Sequence, residues 1–428
     1  MTKTILQTPV LSTLRRTSVG ILAVSVSLPM GFISAAKILL VLAAIAVFWA
    51  CNPKPLGLYC KRPPFNTWIY VGLLALLASS LWTQAPNALL WKSINHHSTL
   101  LLIPLLYFMA TTKKEAHSAL HLYALGQLLV LGSSLALFAG ISIPWQTADV
   151  GNSGNRFATF SSYLDQSIMA SVFAAILWHG RGFLAPGWPR YAIGSICWAA
   201  LGCVFFLMPG RTGQLVGLAL ISLAVMWILP ARVRLAAVCA PVVFLVALLV
   251  FSKPVHDRFE ASWVEARAYS QGDASPTSVG FRLEAWRSAL VSIREHPVAG
   301  TGAGSWGRQY DAIQGAAGRP NEHPTDGNPH QEFLLWGVEL GLGGIMMLLG
   351  ISGSIFRVSL RMEVAPRRAT QSTLLAIVIA CLFNCALYDA LIGDYLCVTL
   401  ALCLAAGLKP DAEDIPDNGR VAHIPARD

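Results

Sequence analysis

Long apolar runs alternate with short polar gaps along most of the chain. Each run is long enough, or almost long enough, to cross a hydrocarbon core of about 30 Å as a helix rising about 1.5 Å per residue. The runs lie at 17–34, 36–51, 65–84, 97–111, 119–141, 164–179, 191–209, 213–230, 235–252, 331–356, 369–388 and 393–408. This pattern predicts an all-α polytopic membrane protein with about twelve transmembrane helices.

One polar gap is much longer than its neighbours and separates the ninth apolar run from the tenth. Two stretches of this loop, 256–270 and 280–295, have helical patterns, and a glycine-rich stretch that begins at Gly300 follows them. The second stretch has apolar residues at helical spacing, namely Phe281, Trp286, Leu290 and Ile293. A loop of this length is usually functional. The predicted organisation is transmembrane helices one to nine (1–252), the loop (253–330), helices ten to twelve (331–408) and a polar tail (409–428).

Composition and charge support a membrane location. Hydrophobic residues make up 55% of the chain and charged residues 12%, whereas soluble domains carry about 25% charged residues. The net charge of +9 reflects lysines and arginines in alternate short gaps, so we expect no nucleic-acid binding. The positive-inside rule then places both termini in the cytoplasm and the long loop outside.

Three arginines lie on the side that this rule disfavours. Arg211 is in the turn Pro209–Gly213, Arg282 opens the second loop helix, and Arg156 precedes the sixth run. Each could be an ordinary interfacial or solvated side chain. Alternatively, the three guanidinium groups could hold a diphosphate, because a guanidinium forks onto phosphate oxygens. In this alternative, the glycines of the turn around Arg211 would let backbone amides approach the ligand.

A candidate base lies where the tenth run begins. His330 precedes Gln331, and Glu339 follows in the apolar run, where a carboxylate is costly unless it is paired. His323 is a competing base. We expect no metal site, because the sequence has no paired outside carboxylates and no cysteine and histidine cluster with ligand spacing. Asp389 and Asp394 are five residues apart, and no nucleotide-binding motif occurs.

These motifs resemble those of the O-antigen ligase family. His330-Gln331, nine residues and Gly341 resemble its His-[Asn/Ser/Gln]-x9-Gly motif, and Pro209–Gly213 resembles its Ser-Arg-Thr/Gly-x-Gly turn. The stretch 282–290, with Glu295-His296-Pro297 and the glycines after it, is similar to the family's periplasmic loop. Residues 156–160 resemble its Arg-x-Gly-Thr-Phe run, although Ala158 replaces the usual glycine.

The resemblance implies a fold similar to C-type glycosyltransferases in the bacterial inner membrane, with a periplasmic active site and no cofactor. The implied donor is O-antigen on undecaprenyl diphosphate, the implied acceptor is lipid A–core oligosaccharide, and membrane lipids surround the protein. In this scheme His330 is the catalytic base, and Arg211, Arg282 and Arg156 bind the diphosphate. Glu339, Gln331 and Trp286 support the site, and the transfer is metal-independent and inverts the anomeric carbon.

Other activities remain open at this level. The same superfamily contains O-antigen polymerases and protein O-oligosaccharyltransferases. A polytopic lipid or solute transporter would also have many apolar runs and a carboxylate such as Glu339. Such a transporter often has two similar halves, and the sequence shows no such symmetry. The sugars, the acceptor hydroxyl and the oligomeric state are not predicted.

Overall fold

A computed structural model of the protein describes residues 9–50, 63–234, 253–270, 277–316 and 327–411, with a few isolated positions between 243 and 251. Within these residues the fold is all-α, and no strand occurs. The helices are α1 Pro9–Ser25, α2 Met30–Ala50, α3 Pro64–Ser79, α4 Asn87–His97, α5 Leu102–Met109, α6 Lys113–Phe138, α7 Tyr163–Gly180, α8 Trp188–Gly202, α9 Arg211–Ile228, α10 Lys253–Ser270, α11 Ser278–Glu295, α12 Trp306–Ala316, α13 Glu332–Ser359, α14 Val364–Phe383 and α15 Ala390–Leu408.

Six apolar helical segments of the described chain are long enough to cross a membrane. They are Met30–Ala50, Lys113–Phe138, Trp188–Leu207, Arg211–Ile228, Glu332–Ser359 and Ala390–Leu408. The other predicted runs correspond to shorter or less apolar helices, except that most of run 235–252 lies outside the described residues. The all-α prediction is therefore confirmed, whereas the number twelve stays a prediction.

Helix α15 forms the centre of the bundle. It packs against α5, α6, α7 and α14, and Tyr395 in its second turn is fully buried. The Tyr395 hydroxyl donates to the Met169 carbonyl of α7 over 2.9 Å. Burial on every side explains why α15 is almost uniformly apolar and shows no polar stripe.

Two predicted boundaries were wrong. The hydrophobic pattern predicts a break between the first two runs near residue 35. In the structure the break lies between Ser25 and Met30, because Pro29 cannot continue a helix. The run that was started at residue 97 belongs to a longer helical segment. This segment begins at Asn87 and continues through a 3₁₀ turn at Ser98–Leu101 to Met109.

The two helices predicted in the long loop are present as α10 and α11. The buried face of α11 differs from the prediction, because Leu290 is exposed while Ala285, Ala289 and Ile293 are buried. A third helix, α12, follows the glycine-rich stretch and was not predicted. Helix α11 packs on α12 and on α13, so the loop helices cover the end of the bundle where α13 begins.

Charged pairs join segments at the opposite end. Lys113 Nζ lies 2.8 Å from Glu363 Oε1 and 3.0 Å from Asp411 Oδ2, and Arg15 Nη2 lies 2.7 Å from Glu115 Oε1. These contacts bring together gaps and tail residues that the charge pattern assigns to one side. This grouping is consistent with the prediction that successive gaps between the apolar runs alternate between the two sides of the membrane.

Candidate active site

Two arginines from distant parts of the sequence meet where α9 and α11 begin. Arg211 is the first residue of α9, and its Nη1 donates to Ser262 Oγ on α10. Arg282 lies in the second turn of α11, and its Nη2 donates to Asn384 Oδ1 over 3.4 Å. Both arginines are half-buried, so both charges are partly withdrawn from solvent.

Asn384 connects the two arginine-bearing segments. Its Nδ2 donates to Thr212 Oγ1 over 3.1 Å, while its Oδ1 accepts from Arg282. Asn384 follows the last residue of α14, so one amide joins the ends of three helices. Asn384 falls within the predicted apolar run 369–388, and a single asparagine there carries no local signal for such a contact.

The charges of the two arginines are not balanced by acids. Within the described residues neither guanidinium has a carboxylate within 4.0 Å. Burial, and then the charge of Arg211, lower the pKa of Arg282. The charge of Glu265, from beyond 4.0 Å, opposes this effect only in part. The two neighbouring cations therefore repel each other, and a bound anion with several oxygens would relieve that repulsion.

The glycines of the turn 209–213 serve packing in this structure. A Cβ on Gly210 would lie 2.5 Å from Ser167 Oγ, and one on Gly213 would lie 1.9 Å from it. Helix α7 therefore approaches α9 closely at this point, which fixes the position of Arg211. The prediction that these glycines also let backbone amides approach a ligand stays a prediction.

His330 lies beside the arginine pair. Its ring contacts Phe281, with centroids 5.8 Å apart, in an edge-to-face arrangement, and its backbone N–H donates to Asn328 Oδ1 over 2.9 Å. Burial, and then the charge of Arg282, lower the pKa of His330 to about 4. The imidazole is therefore neutral at pH 7, so one ring nitrogen can accept a proton.

The backbone of His330 is unusual, because its φ angle is +51°. Residues other than glycine rarely adopt this left-handed conformation, and such strain clusters at functional sites. Gln331 follows as the cap of α13 and accepts from the Leu334 N–H. The cap and the Asn328 contact together hold the imidazole at the helix entrance.

The glycine-rich stretch packs into a kink of α13. Gly341 has a φ angle of +66° inside the helix, and a Cβ there would lie 2.4 Å from the Pro297 carbonyl oxygen. The Leu342 N–H donates to that oxygen over 2.8 Å, and the Thr301 N–H donates to the Val338 carbonyl over 2.8 Å. The final glycine of the His-Gln-x9-Gly motif is thus required for a kink that seats the loop.

Glu339 sits at the same kink and is 1% exposed. Its Oε2 lies 2.7 Å from His97 Nε2, and its Oε1 accepts from Ser93 Oγ over 2.7 Å and from the Gly304 N–H over 2.8 Å. Glu339 therefore has a histidine partner and joins α4, the glycine-rich stretch and α13. None of these contacts reaches His330.

The remaining candidates lie around this centre. Arg156 is exposed, with its guanidinium 5.2 Å from the Phe157 ring centre, and no contact within the described residues joins it to Arg211 or Arg282. Trp286 is half-buried against α13 residues. His323 lies outside the described residues. No group of three or more histidines, cysteines or acids in the described chain could hold a metal.

Two buried carboxylates nearby have cationic or backbone partners. Asp394 is fully buried, and its Oδ2 lies 2.7 Å from Lys37 Nζ. Glu332 is also fully buried and accepts from the Leu387 and Tyr388 N–H groups over 3.1 Å each. Lys37 and Glu332 are not among the predicted site residues, although a charged residue inside an apolar run is a signal by itself.

The comparisons with known proteins agree with the motif analysis. The family model described as O-antigen ligase matches residues 195–349, a region that contains Arg211, Arg282, His330 and Gly341 but not Arg156 or Asn384. No curated protein matches the chain. The chain is therefore a multi-pass membrane protein that carries an O-antigen ligase family region at residues 195–349, as its sequence motifs predicted.

Proposed function

We propose that the protein transfers O-antigen from undecaprenyl diphosphate to lipid A–core oligosaccharide. The observation that carries this proposal is the pair of arginines, Arg211 and Arg282, without a described carboxylate within 4.0 Å and next to a neutral, half-buried histidine. A diphosphate matches the arginines in charge and geometry. The histidine supplies a proton acceptor within the same site.

The proposed reaction is one displacement at the anomeric carbon of the donor sugar. An acceptor hydroxyl oxygen forms the new bond to this carbon while the bond to the diphosphate oxygen breaks, so the configuration inverts. His330 takes the hydroxyl proton as general base, and undecaprenyl diphosphate leaves with the bonding electron pair. Arg211 and Arg282, with Arg156 as a third candidate, stabilise the negative charge that develops on the leaving group.

The low pKa of His330 fits this order of events. In the free protein the charge of Arg282 and burial keep the imidazole neutral. A bound diphosphate would offset that charge, so the pKa of His330 would rise and the imidazole would become a stronger base. Donor binding would thereby prepare the base for the acceptor.

Glu339, Gln331 and Trp286 would act through the backbone and the packing around the site. Gln331 caps the helix that follows His330, and Trp286 packs α11 against α13. Glu339 fixes the kink and the glycine-rich stretch beneath α12. These roles concern the position of His330 and Arg282, and none of them requires contact with substrate.

The direct test is transfer by the purified full-length protein. Lipid-linked O-antigen and lipid A–core are mixed with the protein and excess EDTA, and the products are resolved by gel. We expect ligated lipopolysaccharide to form, since no described carboxylate cluster could hold a divalent ion. Loss of transfer with EDTA, restored by magnesium or manganese, would contradict the metal-independent mechanism.

The same assay separates the rival activities. A polymerase would lengthen the lipid-linked glycan when lipid A–core is absent, whereas a ligase would leave the donor unchanged. A transporter would move the donor between leaflets of a vesicle without forming a new glycosidic bond. Lengthening of the donor glycan without lipid A–core, or movement of the donor without a new glycosidic bond, would overturn the proposed ligase activity.

The proposed orientation has the candidate site and loop 253–330 in the periplasm and both termini in the cytoplasm. Exposed positions for a labelling test are Glu295, at the end of α11, and Arg361, after α13. In intact cells whose outer membrane has been permeabilised, a cysteine replacing Glu295 should react with a membrane-impermeant maleimide. A cysteine replacing Arg361 should not react. The reverse labelling pattern would invert the assignment of sides.

A further inference from the structure

A basic cavity lies at the end of the bundle opposite the candidate active site. It has a volume of about 440 Å³ and is lined by Arg181, Arg190 and Arg368. Arg181 follows the last residue of α7, whose first residue, Tyr163, lies near Arg282. A helix of this length spans about 27 Å at 1.5 Å per residue, which separates the two arginine groups by most of a bilayer.

The three arginines are held in place without ion pairs. Arg190 Nε donates to the Leu184 carbonyl over 2.8 Å, and Arg368 Nη2 donates to the Trp227 carbonyl over 3.4 Å. The Arg181 guanidinium lies 3.1 Å from the centre of the Trp178 ring. All three arginines are half-buried, and none has an ion-pair partner among the carboxylates that the structure describes.

One acid also lines the basic cavity. Glu363 is largely exposed, and its Oε1 lies 2.8 Å from Lys113 Nζ, outside the arginine group. The cavity therefore keeps a net positive charge. Guanidinium groups fixed through one N–H or through a ring face retain further N–H donors for an anion.

Two apolar cavities adjoin the basic cavity on different sides. The first has a volume of about 410 Å³, shares Arg181 and Ala365 with the basic cavity, and extends to Phe173 and Cys403. His117 and His121 also line this first cavity. The second has a volume of about 290 Å³ and shares Trp178, Ala224 and Ile228, and its other lining residues include Leu201, Leu220 and Ile221.

We propose that these three cavities bind one molecule of an anionic glycerophospholipid, with the phosphate on Arg181, Arg190 and Arg368 and one acyl chain in each apolar cavity. Arginine forks match phosphate oxygens, and basic pockets between transmembrane helices suit anionic headgroups. A free phosphate would leave both apolar cavities unused. A zwitterionic headgroup would bring its own cation toward the three arginines.

The test is lipid binding by the full-length protein in detergent, measured by native mass spectrometry. The protein is titrated with phosphatidylglycerol and, separately, with phosphatidylcholine. We expect preferential binding of phosphatidylglycerol. The triple variant Arg181→Gln, Arg190→Gln, Arg368→Gln should lose about a hundredfold in affinity for it, which corresponds to roughly fivefold for each arginine near an anionic headgroup.

A matched control is available at the same end of the bundle. Arg357 and Arg361 are exposed and line a separate cavity with Trp68. The double variant Arg357→Gln, Arg361→Gln removes two cations but should leave the affinity for phosphatidylglycerol unchanged. Equal losses in the triple variant and the control, or no loss in the triple variant, would overturn the proposal.

Two further measurements separate a lipid site from a simple anion site. Excess glycerol phosphate should not displace phosphatidylglycerol, because it cannot fill the apolar cavities, and its displacement of the lipid would overturn the proposal. The variant Ala175→Trp keeps all three arginines and obstructs the second apolar cavity, because Ala175 lines this cavity and is absent from the lining of the basic cavity. It should weaken binding of two-chain phosphatidylglycerol and spare the one-chain lyso form, whereas equal effects on both would contradict the two-cavity arrangement.

Discussion

Replacement of His330 by alanine should lower the rate of glycan transfer by about two to four orders of magnitude, the usual range for loss of a general base. The substitution removes the proposed proton acceptor but leaves Arg211 and Arg282 in place, so binding of the lipid-linked donor should persist. The measurements are transfer rate at saturating donor and equilibrium binding of the donor to the detergent-solubilised variant.

His323 provides the comparison for this experiment. It is the nearest alternative histidine in the sequence, and His323→Ala should leave transfer almost unchanged. Added imidazole should partly restore transfer in His330→Ala, because a small base can enter the space that the side chain vacates. If His323→Ala abolishes transfer while His330→Ala folds and works normally, the base has been assigned to the wrong histidine.

The pH dependence of the unsubstituted protein gives an independent readout of the same base. A general base must be neutral, so the rate falls as the pH drops below its pKa. With the pKa of His330 at about 4 in the free protein, the acid limb at limiting donor should lie near that pH. At saturating donor the limb should move upward, because the diphosphate offsets the charge of Arg282. If the acid limb lies at the same pH at limiting and at saturating donor, the proposed effect of donor binding on the pKa of His330 is contradicted.

The sequence identifies candidate groups for the site but not the contacts that connect them. Arg211 and Arg282 attract attention in the sequence because they lie on the side that the predicted topology disfavours for cations. His330 is recognised through the motif that ends at Gly341. Only the fold, however, shows that Asn384 joins the arginine-bearing segments.

Glu339 illustrates why the remaining contacts were not predicted. A carboxylate in an apolar helix requires a partner, but the sequence does not identify which residue that is. The partner in the structure is His97, on a helix 242 residues earlier in the sequence, and periodicity carries no information on such long-range pairs. The sequence shows Gly341 only as the last residue of the motif, whereas its positive φ angle and the close approach of Pro297 show that it seats the loop.

Helix α12 was missed for a different physical reason. The glycines before it suggested irregular structure, and three of them, Gly300, Gly302 and Gly304, do have positive φ angles. The helix begins immediately after this stretch, at Trp306, and its apolar residues contact α11 and α13. Its stability therefore comes from tertiary packing, which a short amphipathic pattern does not reveal.

Replacement of either Arg211 or Arg282 by alanine should weaken donor binding and transfer together. Each substitution removes a charge-assisted contact with the diphosphate that is worth on the order of 1.5–3 kcal/mol. The expected loss of donor affinity is about ten- to a hundredfold for each substitution. The transfer rate at saturating donor should also fall, because the leaving group loses stabilisation in the transition state. This double effect distinguishes the arginines from His330.

Lysine and a neighbouring arginine supply the controls. Lysine at position 211 or 282 restores a charge but cannot fork onto two oxygens, so it should recover only part of the lost affinity. Arg287 lies just over one turn from Arg282 on α11 and is exposed, so Arg287→Ala should leave donor affinity unchanged. If Arg287→Ala weakens binding as much as Arg282→Ala, the loop attracts the donor through its overall charge, and the arginine pair is not a diphosphate site.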